Sequence, residues 1–473
     1  MMGALLYREV IVPRLYPVMA TRPLDRPRDL WLGVYVNSER VGFVNSRSAP
    51  EIREEGAGIK LGLTARLSLD LLGQPTKLLL AGNAWLSNTE GLREFEFTFE
   101  SGGHTMRIEG EVTGGVLDAR LHTAGEEIPV SVPVSRELLL GGSLGMPSLE
   151  VPRLEVGETA HIETFDPTTL SVGRAQITCL RKEPVQVAGE AIETWVIESD
   201  ISGMKTLAWV AEDGEVVRAE TPFGFSLRKT TPDEALKPVA PAEEAGLLRT
   251  FAVKPEGKQP FRDADLMRVR FTGLDEQHQP PPAPTQRSEQ GVYVITRPSP
   301  PDTETADRLA ESEREQYLRG DAFTPVNHQR IRTAARVAAA GRDSRWDKAR
   351  GIHDWVYTNI KKVPVMSVPS ALEVLEAREG DCNEHTILFV ALARAAGIPS
   401  RAAVGLVWSD ALGAFGYHAW PEVFVGTWVP MDPTFGQHLA DATHIKLLDG
   451  GIDKWPRLLP YIGRLEIDVL EVR

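Results

Sequence analysis

The chain has 473 residues, of which 42% are hydrophobic and 25% charged, and a formal net charge of −14. That length predicts about two to four domains, and the composition is that of an ordinary globular protein. The negative balance argues against a nucleic-acid backbone as the main partner, since phosphate binding needs a basic patch, and two cysteines exclude a disulfide framework.

The opening stretch MMGALLYREVIVPRLYPVM is apolar but broken by Arg8, Glu9 and Arg14. It is too short and too charged to span a bilayer, and it lacks a clean apolar core followed by a small-residue cleavage site. Two readings stand for this N-terminal segment, residues 1–30. It packs on the body, or it is the outer end of a membrane anchor, which would favour a periplasmic or membrane-anchored extracytoplasmic setting.

Residues 31–145 read as a β-rich domain. WLGVYV and ERVGFV flank Asn37-Ser38, and IKLGLTARLSLDLL, REFEFTFE, HTMRIEGEV and VLDARLHTA follow. FEFTFE alternates strictly, so one face is buried and the other wet. Gly102-Gly103 and Gly114-Gly115 mark turns that need positive φ. Residues 146–240 read as a second β-rich domain, with LAWVAEDGEVVRAE as a hairpin around a two-residue Asp213-Gly214 turn. Cys179 lies mid-strand in AQITCLRK, where a free thiol is expected to pack as a small hydrophobe. A β and linker region covers 241–300 and holds the proline-rich loop HQPPPAPTQR, read as a stiff surface loop. No period of the solenoid kind is visible.

From 301 to 473 the pattern turns helical, then back to strands. ETADRLAESEREQYLRG and NHQRIRTAARVAAAG read as helices. Ser344 and Asp347 stand at capping-box spacing before a face of Trp346, Ala349, Ile352, Val356 and Ile360. Ser370 and Glu373 repeat that logic, with Gly380 past the helix end. The next helix follows Cys382, and the strands RAAVGLVWS, YHAWPEVFVG and TWVPMDPT close the region.

Asp381 is placed as an N-cap with Glu384 three residues on, which puts Cys382 in the first helical turn. Free amides and the helix dipole there favour a thiolate, although the neighbouring acids oppose it. A thiolate also needs a histidine to move protons and a third group to orient it. His418 on one strand and Asp432 at the end of the next can meet, Nδ1–H on the carboxylate and Nε2 toward sulfur. Each residue has a plainer reading, as packed cysteine, core histidine and turn aspartate; the order of the three strengthens the catalytic one. Cys382 and His385 have C-x-x-H spacing, but the further ligands of a zinc site are lacking, since His438 and His444 have no cysteine company. Glu212-Asp213 belong to the hairpin turn. Tyr417 and Trp420 flank His418, where they either shield it or simply pack.

SALEVLEAREGDCNEHTILFVALARAAGIPSR, followed by YHAWPEVFVGTWVPMDPTFG, resembles the transglutaminase-like core of the papain-like superfamily over roughly Thr324 to Gly450. The resemblance implies an α+β protein, with β-rich N-terminal regions followed by a C-terminal papain-like transglutaminase core, as in bacterial multidomain relatives. It implies Cys382 as nucleophile, His418 as base and acid, and Asp432 as orienter, with no cofactor and no metal. The expected activity is cysteine-dependent acyl transfer or hydrolysis at an amide bond of a protein or peptide. The Cys382 N–H is one expected oxyanion donor; the second falls near Trp355 or in the loop from Val363 to Ser370. Two other classes remain: a non-catalytic scaffold that binds a protein partner, and an N-terminal β-sheet carrier of apolar ligands. Oligomeric state is not read from the sequence.

Overall fold

The computed structural model describes residues 24–473 except 25, 37, 72–73, 102–103, 136–137, 141–153, 168–169, 202–203, 222–223, 240–251, 275–277, 301–308, 364–369, 451–457, 459–460 and 462–463. Residues 1–23, Asn37 and the Gly102-Gly103 turn, and most of the loop after Val363, therefore lie outside the described residues. Among those described, no helix is long and apolar enough to cross a membrane.

The N-terminal half forms one 15-stranded sheet. Its first run is β1 (Arg28–Val36), β2 (Glu39–Arg53), β3 (Gly56–Leu71), β4 (Gln74–Ser87), β5 (Gly91–Ser101), β6 (His104–Thr113), β7 (Val116–Thr123) and β8 (Glu126–Pro133). The second is β9 (Leu139–Leu140), β10 (Thr159–Asp166), β11 (Ser171–Val187), β12 (Glu190–Ile201), β13 (Met204–Ala211), β14 (Val216–Glu220) and β15 (Phe225–Lys229). The strands β1–β8 and β10–β15 are antiparallel meanders, β9 adds to β10 in parallel, and the two runs join where β1 pairs with β15, Val34 opposite Leu227. The two β-rich regions, 31–145 and 146–240, thus share one sheet and one core.

The sheet curls back on itself. Ten strand spacings of about 4.8 Å would hold β5 and β10 about 48 Å apart if it were flat, yet the rings of Phe95 and Phe165 lie 5.1 Å apart. Period-2 alternation supplies the inward face. In β5, Phe95, Phe97 and Phe99 are buried, while Glu94, Glu96 and Glu100 are exposed. Cys179 belongs to this core and is fully buried, at a β-bulge; burial pushes its thiol pKa up. The Gly114-Gly115 turn forms as expected, both glycines at positive φ between paired Thr113 and Val116. The Asp213-Gly214 turn is one residue longer: Ala211 N–H bonds Glu215 O, and a bulge at Val217 of β14 follows it.

The 241–300 region is not a free linker. Its strands β16 (Glu256–Gly257), β17 (Leu266–Thr272), β18 (Gln286–Glu289) and β19 (Val292–Thr296) build a 5-stranded sheet with β26 (Glu466–Val472). The proline loop is pinned to it: Tyr293 Oη–H donates to Pro280 O, and Gln286 Nε2–H to Pro281 O and Lys446 O.

A short α1 (Pro232–Ala235) follows β15. The helices of the last region are α2 (Glu311–Leu318), α3 (Gln329–Ala338), α4 (Arg345–Asn359), α5 (Ala371–Ala377) and α6 (Cys382–Ala395). A two-stranded ladder, β20 (Lys361–Lys362) with β21 (Glu379–Gly380), ties the end of α4 to the entry of α6. Four strands follow in the order β24 (Trp428–Pro430), β23 (Ala414–Phe424), β22 (Ser400–Ser409) and β25 (Ile445–Asp449). Helix side chains such as Ile352, Leu388 and Phe389 bury Val423, Val429 and Met431. The remaining sheet residues, Val404, Leu406 and Phe415 among them, pack on Val269, Ile295 and Ile467 of the 5-stranded sheet. The result is a layer of helices, a sheet and a second sheet, with α6 running against β22 and β23. The chain is α+β, β-rich in its N-terminal half.

Candidate active site

The start of α6 is built as a capping box. Asp381 Oδ1 accepts from Asn383 N–H at 2.8 Å, and Glu384 Oε2 accepts from Asp381 N–H at 2.7 Å. Cys382 therefore occupies the first helical position, where backbone N–H groups have no helical partner. Its sulfur lies 4.0 Å from Asn383 Oδ1 and touches the backbone of Ala419, the residue after His418. It makes no hydrogen bond to the His418 ring. Burial pushes the thiol pKa well above the ordinary value, and Asp381, Glu384 and Asp432 add to that, while the Ala419 backbone opposes it. This corrects the expectation of a depressed thiol pKa: desolvation and three carboxylates outweigh the helix amides, and Cys382 rests as the thiol.

His418 comes from β23 and Asp432 from the segment just past β24, where Asp432 and Gln437 form a two-way backbone bridge. His418 Nε2–H donates to Asp432 Oδ2 at 2.7 Å, with both side chains buried. The ring is thus turned opposite to expectation: Nε2 holds the carboxylate, and Nδ1 is the nitrogen left for a thiol proton. Pro433 has no N–H, so the Asp432 Oδ1 turn closes on the next two amides, Thr434 N–H at 2.8 Å and Phe435 N–H at 3.0 Å.

His444, at the entry to β25, also reaches Asp432 Oδ2, donating Nε2–H at 3.0 Å. Its Nδ1–H points at Asp441, 3.1 Å from the carbonyl and 3.2 Å from Oδ1. Burial would lower the His444 pKa, but the two carboxylates raise it to about 9, so the ring is an imidazolium. Burial would likewise raise Asp432; His418 and His444 hold it well below the usual carboxylate range. The buried order is Asp441, His444, Asp432, His418, with charges alternating over the first three.

Aromatic rings wall this chain. Trp420 stacks 6.1 Å from His418 and meets His444 edge-on at 5.1 Å. Phe435 lies 4.9 Å from His418 on the opening side, 41% exposed, with the Arg262 guanidinium 4.2 Å over it. Trp420 both packs and shields; Tyr417 joins the apolar cluster that Cys382 borders. Trp355 lies under the Arg378 guanidinium, 4.8 Å from its ring centre, and the neighbouring loop that was to supply the second oxyanion donor lies largely outside the described residues.

Behind Asp432, His353 of α4 places Nε2 3.1 Å from the Asp432 carbonyl and Nδ1 3.1 Å from Asp354 Oδ1. His438 Nε2 approaches the same Asp354 oxygen at 2.5 Å. The C-x-x-H pair does not converge on a metal. His385 Nδ1–H is spent on Asp381 O at 2.7 Å, and the two convergent groups among the described residues are His353-Asp354-His438 and His418-Asp432-His444.

Sequence reasoning placed Cys382, His418 and Asp432, and the fold brings the last two into contact. It missed the roles of His444, Asp441, His353 and Phe435. The only local signal was Asp441 and His444 three residues apart, a common spacing.

Residues 331–433 match the family model of the transglutaminase-like superfamily, a span that holds Cys382, His418 and Asp432. No curated protein matches the chain. Among solved structures, a protein of Cytophaga hutchinsonii named "Putative Cysteine Protease" is 16% identical, over 45% of this chain and 85% of its own, at a TM-score of 0.27. A beta-barrel-like protein of a domain of unknown function from Brucella abortus is 8% identical, over 44% and 96%, at 0.32. A second protein named as a protease, from Parabacteroides distasonis, is 11% identical, over 72% and 68%, at 0.20. The region around α3 to β24 is transglutaminase-like.

Proposed function

We propose that the transglutaminase-like region catalyses cysteine-dependent acyl transfer or hydrolysis at an amide bond of a protein or peptide. One observation carries the reading: the buried His418–Asp432 pair at 2.7 Å stands beside a helix that begins at Cys382, with Ala419 against its sulfur. Since the thiol rests protonated, attack and proton transfer go together. The Sγ–H proton passes to His418 Nδ1 as sulfur bonds the carbonyl carbon, and the carbonyl oxygen takes the negative charge, with the Cys382 N–H as donor. His418 then gives the proton to the leaving amine, and the C–N bond breaks to leave a thioester. Water or an amine attacks the thioester, loses its proton to His418 and releases Cys382, which recovers that proton. Asp432 holds the ring through Nε2–H and offsets its charge. The curled sheet is suited to recruit or gate the polypeptide.

A scaffold without catalysis is the second reading, favoured by the missing Sγ–His418 hydrogen bond and the raised thiol pKa. An activated acyl ester separates the two, with the adduct located by mass spectrometry. Catalysis requires a thioester at Cys382, formed about 10²–10⁴-fold faster than in His418→Ala. Acylation no faster than in the unfolded chain, and indifferent to His418, would establish the scaffold.

A further inference from the structure

We propose that His353, Asp354 and His438 form a binding site for one divalent cation of the zinc class, set behind Asp432. The argument begins with a hydrogen atom. The Asp432 carbonyl can only accept, so the His353 nitrogen 3.1 Å from it, Nε2, carries the hydrogen. In the neutral ring Nδ1 is then a bare lone pair. It faces Asp354 Oδ1, also an acceptor, at 3.1 Å. Two acceptors at that distance repel unless something positive lies between them. A third donor atom closes on the same point: His438 Nε2 is 2.5 Å from that oxygen. All three atoms lie within 4.8 Å of one another.

The donor set names the ion class. Two imidazoles and one carboxylate suit zinc and its borderline neighbours, whereas calcium and magnesium take oxygen. Metal bonds of about 2.0–2.2 Å in tetrahedral array separate their donor atoms by about 3.4 Å, so His438 has to withdraw by less than about 1 Å. It is free to do so, because the His438 side chain is 34% exposed and that of Asp354 54%, and the same exposure gives an ion its way in. His353 is 1% exposed and is the rigid member. Its Nε2–H on a backbone carbonyl is the outer-sphere contact that fixes the tautomer and aim of a metal-bound histidine.

The other convergent group differs in this respect: in His418-Asp432-His444 every ring nitrogen facing a carboxylate carries a hydrogen. Occupancy behind Asp432 would stiffen the backbone from which that carboxylate projects without touching the reacting atoms. The site therefore stands whether or not the chain is an enzyme.

The test uses the full chain without an affinity tag, carrying Cys382→Ala to remove the thiol as a competing ligand. Equilibrium dialysis against zinc, with the bound metal counted by mass spectrometry, is expected to give one equivalent and a rise in melting temperature. His438→Ala and Asp354→Asn should each weaken binding by at least about tenfold, while His418→Ala should leave it unchanged. Zinc binding of equal strength in the His438→Ala, Asp354→Asn double variant, or no binding in the starting chain, would overturn the proposal: the three groups then share protons, not a metal.

Discussion

Asp432 gathers four hydrogen bonds on one carboxylate, two from backbone amides and two from histidines. His444 is the member with a measurable signature. Its folded pKa is about 9 against an ordinary 6.5, so its contribution to stability is whole below pH about 6.5 and is lost as pH climbs through about 9. The gap corresponds to about 3 kcal/mol at most. Denaturant unfolding at pH 6 and at pH 9.5 should show that loss in the native chain and little of it in His444→Asn. An identical pH dependence in both would mean that His444 is not charged in the folded state. The His418–Asp432 contact and the helix start at Cys382 were legible because their spacings are local and ordered along the chain. His444 was not, since its partner Asp432 meets it only when β25 adds to the edge of β22. The direction of the thiol pKa was misread for a related reason: a helix start is visible in sequence, whereas the depth of burial around it is not.

The caps at Ser344, Ser370 and Asp381 were read from spacing alone, and all three accept from the expected amide, because a cap depends on residues three apart and little else. The reciprocal box closes at Asp381, whereas the Asp347 carboxylate takes the Ser344 hydroxyl and that of Glu373 faces Thr123 and His104. The end of α5 was harder. Gly380 does not terminate it; Arg378 does, in the left-handed conformation at φ 57°. Gly380 is reserved for the next element, where a Cβ would stand 2.3 Å from both Cβ and Cγ of Glu384. Alanine there should force Glu384 off the Asp381 N–H and loosen the first turn of α6. The expected cost is about 1–3 kcal/mol, read as a lower denaturant midpoint, with slower acylation of Cys382. An unchanged midpoint would show that Glu384 can yield without losing the box.

The two halves of the molecule meet through buried polar groups. Thr123 of β7 touches Ser370 Oγ at 2.9 Å and Glu373 Oε2 at 3.3 Å, and His104 of β6 lies 3.7 Å from Glu373 Oε1. Burial raises the Glu373 pKa from 4.5 to about 7 and lowers that of His104, so burial pushes both groups toward their neutral forms. A carboxyl raised in this way weakens the fold as pH rises from about 4.5 to about 7, by about 3 kcal/mol at most. Thermal melts at pH 5 and pH 8 should show a larger loss in the native chain than in Glu373→Gln. Matching losses would place the ionised carboxylate comfortably in the interface. None of this could be read from sequence, where Glu373 is only the third residue of a helix. The curled sheet was invisible for a similar reason: strand periodicity and hairpin turns are local signals, but the β1–β15 pairing that unites the two β regions joins residues some 190 positions apart, and neither strand carries a mark of the other.

That long-range pairing has a consequence for how the chain comes into being. At a synthesis rate of about 5–20 residues per second, β1 emerges about 10–40 s before β15, its pairing partner. During that interval its outer edge, Leu32 and Val34 included, offers unpaired N–H and C=O groups to any neighbouring nascent chain. Closure across so great a sequence separation is also slow once both strands exist. Refolding from denaturant should accordingly be slow and sensitive to protein concentration, with soluble yield falling as the chain is made more concentrated, because the same edge that seals the sheet is the one that two unfinished copies would share.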